Sequence, residues 1–374
     1  MTRRRGLRIL LPLMLWMLLL VGCGLPGTVA SGGHIPQAGP APTPTPLAPV
    51  LFPQDEAPHH NLTEWWYYTG HLYAPDHSHT YGFELTFFQT LRGDLDPYYA
   101  AHYAISDITR GQFHYDQRAQ FEPVSVIPPA GSTGGFHLAL GNWTTSGLNG
   151  SDHLQATMPD YAVDLSLRAQ TPPALHGGNG IITYGAAGFS YYYSRPLMTI
   201  TGTITDHGQT IPVTGQAWMD HQWGNFLTLA GTGWDWYSIQ LDNHTEYMLY
   251  IIRDARQRPV SAFGTVIGTD GMAREIAPAA IRTQALGTWT SPHTGGVYPS
   301  GWLVEIASHH ATLRVIPQLK DQELVTASST GIAYWEGTVE VRGEVNGRTV
   351  HGVGYVELTG YAQIAPASVT PGAP

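Results

Sequence analysis

From residue 59 onward, short segments rich in aromatic and β-branched residues alternate with turns. The first two such segments, 64–72 and 81–88, are separated by a turn that contains Pro75, Asp76 and Ser78. Apolar residues do not recur with the helical period of about 3.6. Charged residues make up 12% of the chain and aromatic residues 11%, beside 43 glycines and 28 prolines. This composition is typical of strands and turns, so we predict an all-β fold.

The strand pattern restarts near residue 233, which indicates an internal duplication. The sequence Glu64-Trp65-Trp66-Tyr67 parallels Trp234-Asp235-Trp236-Tyr237 at the two openings, and Asp220 and Glu357 each close the last strand of one half. Many short, evenly spaced strands suit barrels, because closure removes exposed sheet edges. The sequence therefore predicts two tandem antiparallel β-barrel domains.

The predicted domain boundaries follow from this repeat. The first β-domain spans 58–226, the second spans 227–364, and the two meet near residues 224–233. Residues 365–374 are predicted to form a flexible tail.

The N-terminus resembles a bacterial lipoprotein signal. Basic residues at 3–5 precede an apolar run over 7–21, which is shorter than the roughly 20 residues needed to span a bilayer. The motif Leu20-Val21-Gly22-Cys23 resembles a lipobox, in which the cysteine is lipidated after removal of residues 1–22. Cys23 is the only cysteine of the chain, so no intramolecular disulfide can form. The alternative is ordinary cleavage nearby with loss of Cys23.

Residues 23–57 are rich in proline, glycine, alanine and threonine, and are predicted to form an extended tether with little to bury. A lipid anchor followed by a tether predicts an exported bacterial lipoprotein on the extracytoplasmic face of the membrane. Removal of residues 1–22 takes away four of the 18 basic residues and none of the 28 acidic ones, which leaves a formal charge of −14. An acidic chain without a basic cluster is not expected to bind nucleic acid.

Aromatic and ionisable residues are most concentrated at 217–225 and 233–241. Asp235 lies between two tryptophans, and burial there would raise its pKa and keep it protonated, as a general acid requires. The alternative is an acid at a barrel rim that accepts hydrogen bonds from indole or backbone N–H groups.

His221 and Trp223 share a strand face opposite Asp220 and Gln222. His221 could position a water or relay a proton, and the Trp223 ring could stabilise a carbocation by about 0.5 to 2 kcal/mol. The alternative is a histidine in a satisfied hydrogen-bond network where the domains join.

Other residues of these segments are predicted either to line a ligand site or to hold the barrels closed. They are Trp218, Asp220, Trp234, Trp236 and Tyr237, with Glu64 and Trp66 from the first half. The histidine clusters at 59–60, 77–79 and 309–310 are predicted to be exposed, so no metal site is expected. Neither a nucleophile elbow nor a dinucleotide fingerprint occurs, and no cofactor is expected.

Six motifs, in this order, resemble the carotenoid 1,2-hydratase (hydroxyneurosporene synthase) and AttH-like family. They are Glu64-Trp65-Trp66-Tyr67, Tyr192-Tyr193-Ser194-Arg195-Pro196, Trp218-Met219-Asp220-His221-Gln222-Trp223-Gly224, Gly233-Trp234-Asp235-Trp236, Tyr334-Trp335-Glu336-Gly337, and Gly354-Tyr355-Val356-Glu357-Leu358-Thr359-Gly360-Tyr361. The resemblance runs from about residue 60 to 362 and implies two lipocalin-like barrels.

For its hydratase members, the resemblance implies cofactor-free addition of water to a terminal carbon–carbon double bond. An aspartic acid protonates the alkene, and water captures the tertiary carbocation. His221 and Trp223 match the His-Gln-Trp positions of the family, and Asp235 is the candidate acid. We therefore expect a lipid-anchored, lipocalin-like hydro-lyase that binds an isoprenoid, carotenoid or other apolar ligand. A non-catalytic lipid carrier and a structural envelope protein are the alternatives.

Overall fold

The computed structural model describes residues 46–93, 95–121, 134–226 and 233–364. These ranges form one antiparallel sheet of 12 strands, a second of 10, and a small two-stranded sheet. They contain no α-helix, only 3-10 turns. No helix among them is long and apolar enough to cross a membrane. The all-β prediction is confirmed.

The first sheet takes its strands from the N-terminal half of the body. They are β1 (Thr63–Tyr73), β2 (Thr80–Thr90), β3 (Tyr98–Asp107), β4 (Gln112–Phe121), β5 (Phe136–Leu140), β6 (Trp143–Leu148), β7 (Ser151–Met158), β8 (Tyr161–Ala169), β9 (Ala174–Leu175), β10 (Ile181–Thr183), β11 (Gly188–Asp206) and β12 (Gln209–Phe226). The main path runs β4-β3-β2-β1-β12-β11-β8-β7-β6-β5.

The C-terminal half supplies the other two sheets. Its strands are β13 (Gly233–Leu241), β14 (Glu246–Arg253), β15 (Pro259–Ile267), β16 (Ala273–Ile276), β17 (Ile281–Ala285), β18 (Thr288–Thr290), β19 (Val297–Pro299), β20 (Trp302–Ile306), β21 (Ala311–Pro317), β22 (Glu323–Val325), β23 (Ala333–Val345) and β24 (Arg348–Thr359). The second large sheet runs β16-β15-β14-β13-β24-β23-β21-β20-β17, and β18 pairs with β19. The 3-10 turns are Gln54–Glu56, His176–Gly178, Gly185–Ala187, Pro278–Ala280 and Ala307–His309.

The two large sheets repeat one topology. Strands β1 to β4 of the first sheet correspond to β13 to β16 of the second. Strands β12, β11, β8 and β7 correspond, in that order, to β24, β23, β21 and β20. The strand register shifts the alignment of residues 64–67 with residues 234–237 by one residue. Tyr67 pairs with Asp220 and Trp236 pairs with Glu357, so Tyr67 corresponds to Trp236 and Trp66 corresponds to Asp235. Asp235 therefore occupies the position of a core residue.

Each sheet curls around its own hydrophobic core, and the two curled sheets are called the first and second barrels below. Trp66 and Tyr68 lie in the first core, and Tyr237 and Ile239 lie in the second. A third apolar cluster joins the barrels and includes Tyr67, Trp218 and Trp236. Neighbouring residues of one strand thus serve different cores, because successive side chains of a strand point to opposite faces.

The predicted tether ends earlier than expected, because residues from Ala48 onward belong to the compact body. Val50 is buried in the first core, and Phe52 packs against that core. The Glu56 carboxylate accepts a bond from Arg195 and, at 2.7 Å, another from the backbone N–H of Asn149. Two apolar side chains and a buried ion pair therefore order this segment. The predicted signal, Cys23, the proline-rich stretch and the tail at 365–374 lie outside the described residues.

Candidate active site between the barrels

A cavity of about 310 Å³ lies between the outer faces of the two barrels. Three carboxyl groups line it: the buried Glu84 on β2 and Asp220 on β12, and the half-buried Glu357 on β24. A fourth, Glu336 on β23, accepts a hydrogen bond of 2.8 Å from the hydroxyl of Tyr67, which also lines the cavity. Within the described ranges, none of these four carboxyls forms an ion pair. Burial without a counter-charge favours the protonated form.

Asp220 is held by three donors. Tyr192 Oη and Trp218 Nε1 each donate to it at 2.6 Å, and the hydroxyl of Ser194 donates a third bond. Burial raises the pKa of Asp220 to about 7, although the three donors favour the ionised carboxylate. Asp220 is therefore poised to gain or lose a proton near neutral pH.

Glu357 has a different environment from Asp220. Trp234 Nε1 donates to Glu357 Oε2 at 2.8 Å, and this is the hydrogen bond that fixes the carboxyl in the described structure. Burial, helped by the charges of Glu84 and Asp220, raises the pKa of Glu357 to about 8, although the bond from Trp234 favours the ionised form. At neutral pH, Glu357 is consequently a carboxylic acid that can donate a proton.

Two further glutamates, Glu84 and Glu336, carry charges that act on each other or on Glu357. Tyr334 Oη donates to Glu84 Oε1 at 2.9 Å, and the second oxygens of both glutamates, Oε2, are buried without a hydrogen-bond partner in the described structure. Burial raises the pKa of Glu84 to about 7. Burial and then the charge of Glu84 raise the pKa of Glu336 well above its ordinary value. The two carboxyls therefore do not both ionise near neutrality.

Aromatic rings form much of the remaining wall, including Trp65, Trp234, Trp236 and Tyr250. Trp236 stands edge-on to Tyr67 at a centroid distance of 5.2 Å, and its Nε1 donates to Tyr192 Oη at 2.9 Å. Indole and phenol groups thus form the cavity wall and make contacts between the two barrels. The cavity combines proton donors with π-faces.

The predicted site residues divide into two groups. Asp220, Trp234 and Trp236 line the inter-barrel cavity, and Trp218 lies behind it, bonded to Asp220. Trp66 and Tyr237, predicted as ligand contacts, are fully buried in the barrel cores instead. Strand alternation explains the division.

The predicted catalytic set of Asp235, His221 and Trp223 is not brought together. Asp235 shares its strand face with Tyr237, inside the second barrel, whereas Trp223 belongs to the core of the first. Arg253 Nε donates to Asp235 Oδ1 at 2.9 Å, and Tyr361 Oη donates to the same oxygen at 3.0 Å. Burial raises the pKa of Asp235, and the charge of Arg253 opposes that shift. The geometry is that of a buried ion pair outside the cavity.

His221 belongs to a second buried cluster, inside the first barrel. Its Nε2 lies 2.7 Å from Glu64 Oε1, and His59 Nδ1 lies 2.8 Å from the same oxygen. The His59 ring stacks on Trp223 at 4.1 Å with an interplanar angle of 2°. His59 was predicted to be exposed, but this stack and the carboxylate bury most of its side chain.

In this cluster one histidine is protonated and balances the charge of Glu64. Burial lowers the pKa of His221 to about 4. Burial also lowers the pKa of His59, but hydrogen bonds to Asp55 and Glu64 outweigh that effect and raise it to about 9. Burial disfavours the ionised form of Glu64, yet the bonds to the two histidines lower its pKa. His59 is therefore charged, His221 is neutral, and Glu64 is ionised at neutral pH.

The same three residues could in principle hold a metal ion, because His59, Glu64 and His221 each place a ligand atom within 4.8 Å of the others. Both oxygens of Glu64 are already used by hydrogen bonds, since Oε2 accepts from the His59 backbone at 2.8 Å and from Gln89 at 3.1 Å. Hydrogen bonding accounts for the arrangement of the cluster.

Sequence reasoning missed Glu84, Glu336 and the role of Glu357. Glu357, which closes the last strand of the second half, is the repeat counterpart of Asp220. Glu84 alternates with the core residues Phe83 and Leu85, so the strand period already placed it on the outer face. An acid in a strand whose opposite face is apolar was the available signal.

The fold and this site define a double-barrel β-protein with an acid-lined cavity between its barrels. The family model that describes AttH-like proteins matches residues 43–361. A crystal structure assigned to AttH from Nitrosomonas europaea is 32% identical, with a TM-score of 0.76, and the match covers 85% of this chain and 99% of that one. The chain belongs to the AttH-like family.

Two curated relatives carry names that describe reactions of water. The dehydratase asqC of Emericella nidulans is 27% identical over 271 residues, which cover 68% of this chain and 75% of that protein. Kievitone hydratase of Fusarium solani subsp. phaseoli is 27% identical over 201 residues, which cover 52% of this chain and 56% of that protein. The crystal structure of kievitone hydratase from Nectria haematococca, at 18% identity and a TM-score of 0.68, shares the fold and covers 84% of this chain and 94% of that one.

Proposed function

We propose that this protein is a cofactor-free hydro-lyase that adds water to, or removes it from, an apolar small molecule in the inter-barrel cavity. The observation that carries the proposal is the set of buried and half-buried carboxyls that line this cavity without cationic partners. Such groups supply and accept protons near neutral pH. The relatives named as a hydratase and a dehydratase support the same reaction class.

Glu357 is the proton donor in this mechanism. Its O–H proton passes to one carbon of the double bond, the π-electron pair forms the new C–H bond, and the neighbouring carbon becomes a carbocation. A water oxygen attacks that carbon, and the carboxylate of Asp220 takes the proton that the water loses. Asp220 suits this role because three donors favour its ionised form, whereas Glu357 receives one bond in the described structure. Dehydration follows the same steps in reverse.

The aromatic wall stabilises the cation. The faces of Trp234, Trp236 and Tyr250 border the cavity, and each cation–π contact contributes about 0.5 to 2 kcal/mol. A branched double bond fits this site best, because its protonation gives a tertiary carbocation. We therefore propose an acyclic isoprenoid substrate, with a carotenoid as one member of that class.

The proposed location follows from the N-terminus. Lipidation at Cys23 would hold the protein on the extracytoplasmic face of a bacterial membrane, close to apolar molecules dissolved in the bilayer. The competing function is a non-catalytic carrier, which needs the aromatic cavity but not its protonated acids.

The test uses the full chain in detergent, with lycopene or a shorter acyclic isoprenoid. Binding is followed by tryptophan fluorescence, and hydrated product by mass spectrometry. We expect Glu357→Gln to bind the substrate but to lose about 10²- to 10⁴-fold in turnover, the range for a removed general acid. Asp235→Asn is the matched control, and we expect it to retain turnover per folded molecule.

Three outcomes contradict parts of the proposal. Loss of turnover in Asp235→Asn with activity retained in Glu357→Gln would return the role of acid to Asp235. Binding without product from the wild-type protein would favour the carrier. Absence of binding would favour a structural protein.

A further inference from the structure

A second cavity, of about 360 Å³, adjoins the acid-lined one. The two cavities share Trp65, Trp234 and Tyr250, so these rings form a common wall. The second cavity is also lined by Tyr184 and Phe263. We call it the tail cavity.

The tail cavity is built for apolar contact. Phe263 packs against Tyr250 at a centroid distance of 6.2 Å and stands edge-on to Tyr184 at 6.4 Å. The two charged residues in its lining, Arg253 and Asp254, are paired with Asp235 and Arg258 respectively. No unpaired charge is therefore left among the described lining residues to recognise an ionic group.

We propose that the tail cavity holds the apolar tail of the molecule whose reacting double bond lies in the acid-lined cavity. The proposal rests on the proposed function and narrows its substrate class to elongated apolar molecules that react near one end. Cavities of roughly 300 to 1,000 Å³ are typical of small-molecule sites, and each of these two is near the lower limit of that range. A substrate longer than one cavity can occupy both.

The shared wall also connects tail binding to the chemistry. The Trp234 ring borders both cavities, while its Nε1 donates to Glu357 Oε2 at 2.8 Å. A tail packed against this ring holds the indole in place and so positions the proton donor. Shorter substrates are therefore expected to lose turnover as well as affinity, because remote binding contributes to orientation at the reacting centre.

The binding test uses geraniol, farnesol and geranylgeraniol, which have the same head and differ in length by one isoprene unit. For the wild-type chain we expect Kd to fall at least tenfold from geraniol to farnesol, since burial of apolar area drives the contact. Ser261→Trp places bulk in the tail cavity and should abolish this gain while it leaves the Kd for geraniol within about threefold. Met272→Trp, at an exposed position outside both cavities, should keep the gain.

Thermal unfolding shows whether each variant is folded. If Ser261→Trp does not fold, Ala187→Leu replaces it, because Ala187 lines the same cavity. A Kd that does not depend on the length of the isoprenoid would overturn the inference. So would a folded variant with a filled tail cavity that still binds farnesol more tightly than geraniol. Because one assay measures Kd and the other measures hydrated product, the outcome of the binding test is separate from that of the hydration assay. Length-dependent binding without product would support the tail cavity and contradict the hydro-lyase.

Discussion

Acids lie on both faces of the paired strands β1 and β12 and of the paired strands β13 and β24, and their surroundings differ. Glu64 and Asp235 point into the barrels, where His59 and Arg253 supply positive charge. Asp220 and Glu357 point outward into the cavity, where hydroxyl and indole groups donate to them but no cation neutralises them. Burial of an acid therefore occurs both inside the barrels and at the candidate site. Lack of a counter-charge beside a cavity is what distinguishes the site.

This contrast has an energetic consequence. An ionised carboxylate without a partner is costly to bury, so burial raises the pKa of the cavity acids. The interior acids are held by ion pairs instead. The cavity acids lower the stability of the folded state at high pH, which is expected of residues retained for chemistry.

The largest expected effect comes from breaking an interior pair. Arg253→Met leaves Asp235 buried without its cation, and loss of one partner from a buried pair costs about 3 to 5 kcal/mol. Urea unfolding at pH 7 measures the change. Arg258→Met is the control, because its pair with Asp254 is exposed and solvent-exposed pairs contribute little to stability. An equal decrease in the free energy of unfolding in the two variants would show that the interior pair stabilises the protein no more than the exposed pair does.

A cavity acid should behave in the opposite way. The pKa of Glu357 is raised from 4.5 to about 8, so below pH 4.5 it is protonated in both the folded and the unfolded chain. Between pH 4.5 and 8 the unfolded chain ionises first, and stability falls. Glu357→Gln removes this penalty, and we expect the variant to be more stable than wild type at pH 8 by on the order of 3 kcal/mol and nearly equal at pH 4.5.

Glu64→Gln provides the comparison for Glu357→Gln. The pKa of Glu64 is lowered in the folded chain, so its contribution is present above its unfolded pKa and is lost as pH falls through the folded value. Glu64→Gln should therefore destabilise the protein at pH 7. Unfolding free energies measured from pH 8 down to well below 4.5, the ordinary pKa of a glutamate, give both trends. A Glu357→Gln variant that is less stable than wild type at pH 8 would show that Glu357 is ionised and paired in solution.

The sequence was sufficient for the fold class, the duplication and the alternation of faces. It also contained the partner of Asp235, since a hairpin with its turn at 242–245 brings Arg253 opposite Gly233. The acid cluster could not be derived in this way. Tyr67 and Glu336 are 269 residues apart and meet only because two barrels pack face to face. Strand periodicity gives the face of each residue, but not which outer faces pack together.

The smallest expected effect concerns the hydroxyl that joins Asp220 to a buried histidine. His176 Nε2 lies 2.6 Å from Ser194 Oγ, which donates to Asp220, and His176 Nδ1 lies 2.8 Å from Thr265 Oγ1. Burial lowers the pKa of His176 to about 3, so the ring is neutral and positions the hydroxyl without adding charge.

Ser194→Ala removes one of the three donors that favour the ionised form of Asp220. The pKa of Asp220 should therefore rise, and the limb of the kcat/KM profile that requires its carboxylate should move to higher pH by about one unit, equivalent to about 1.4 kcal/mol. Ser190→Ala is the matched control, since Ser190 accepts from Gln222 and does not contact Asp220. A loss of rate at every pH without a displaced limb would mean that Ser194 supports the fold and does not tune Asp220. A displaced limb in Ser194→Ala alone would identify Asp220 as the base, because only the acid that Ser194 contacts would have changed its pKa.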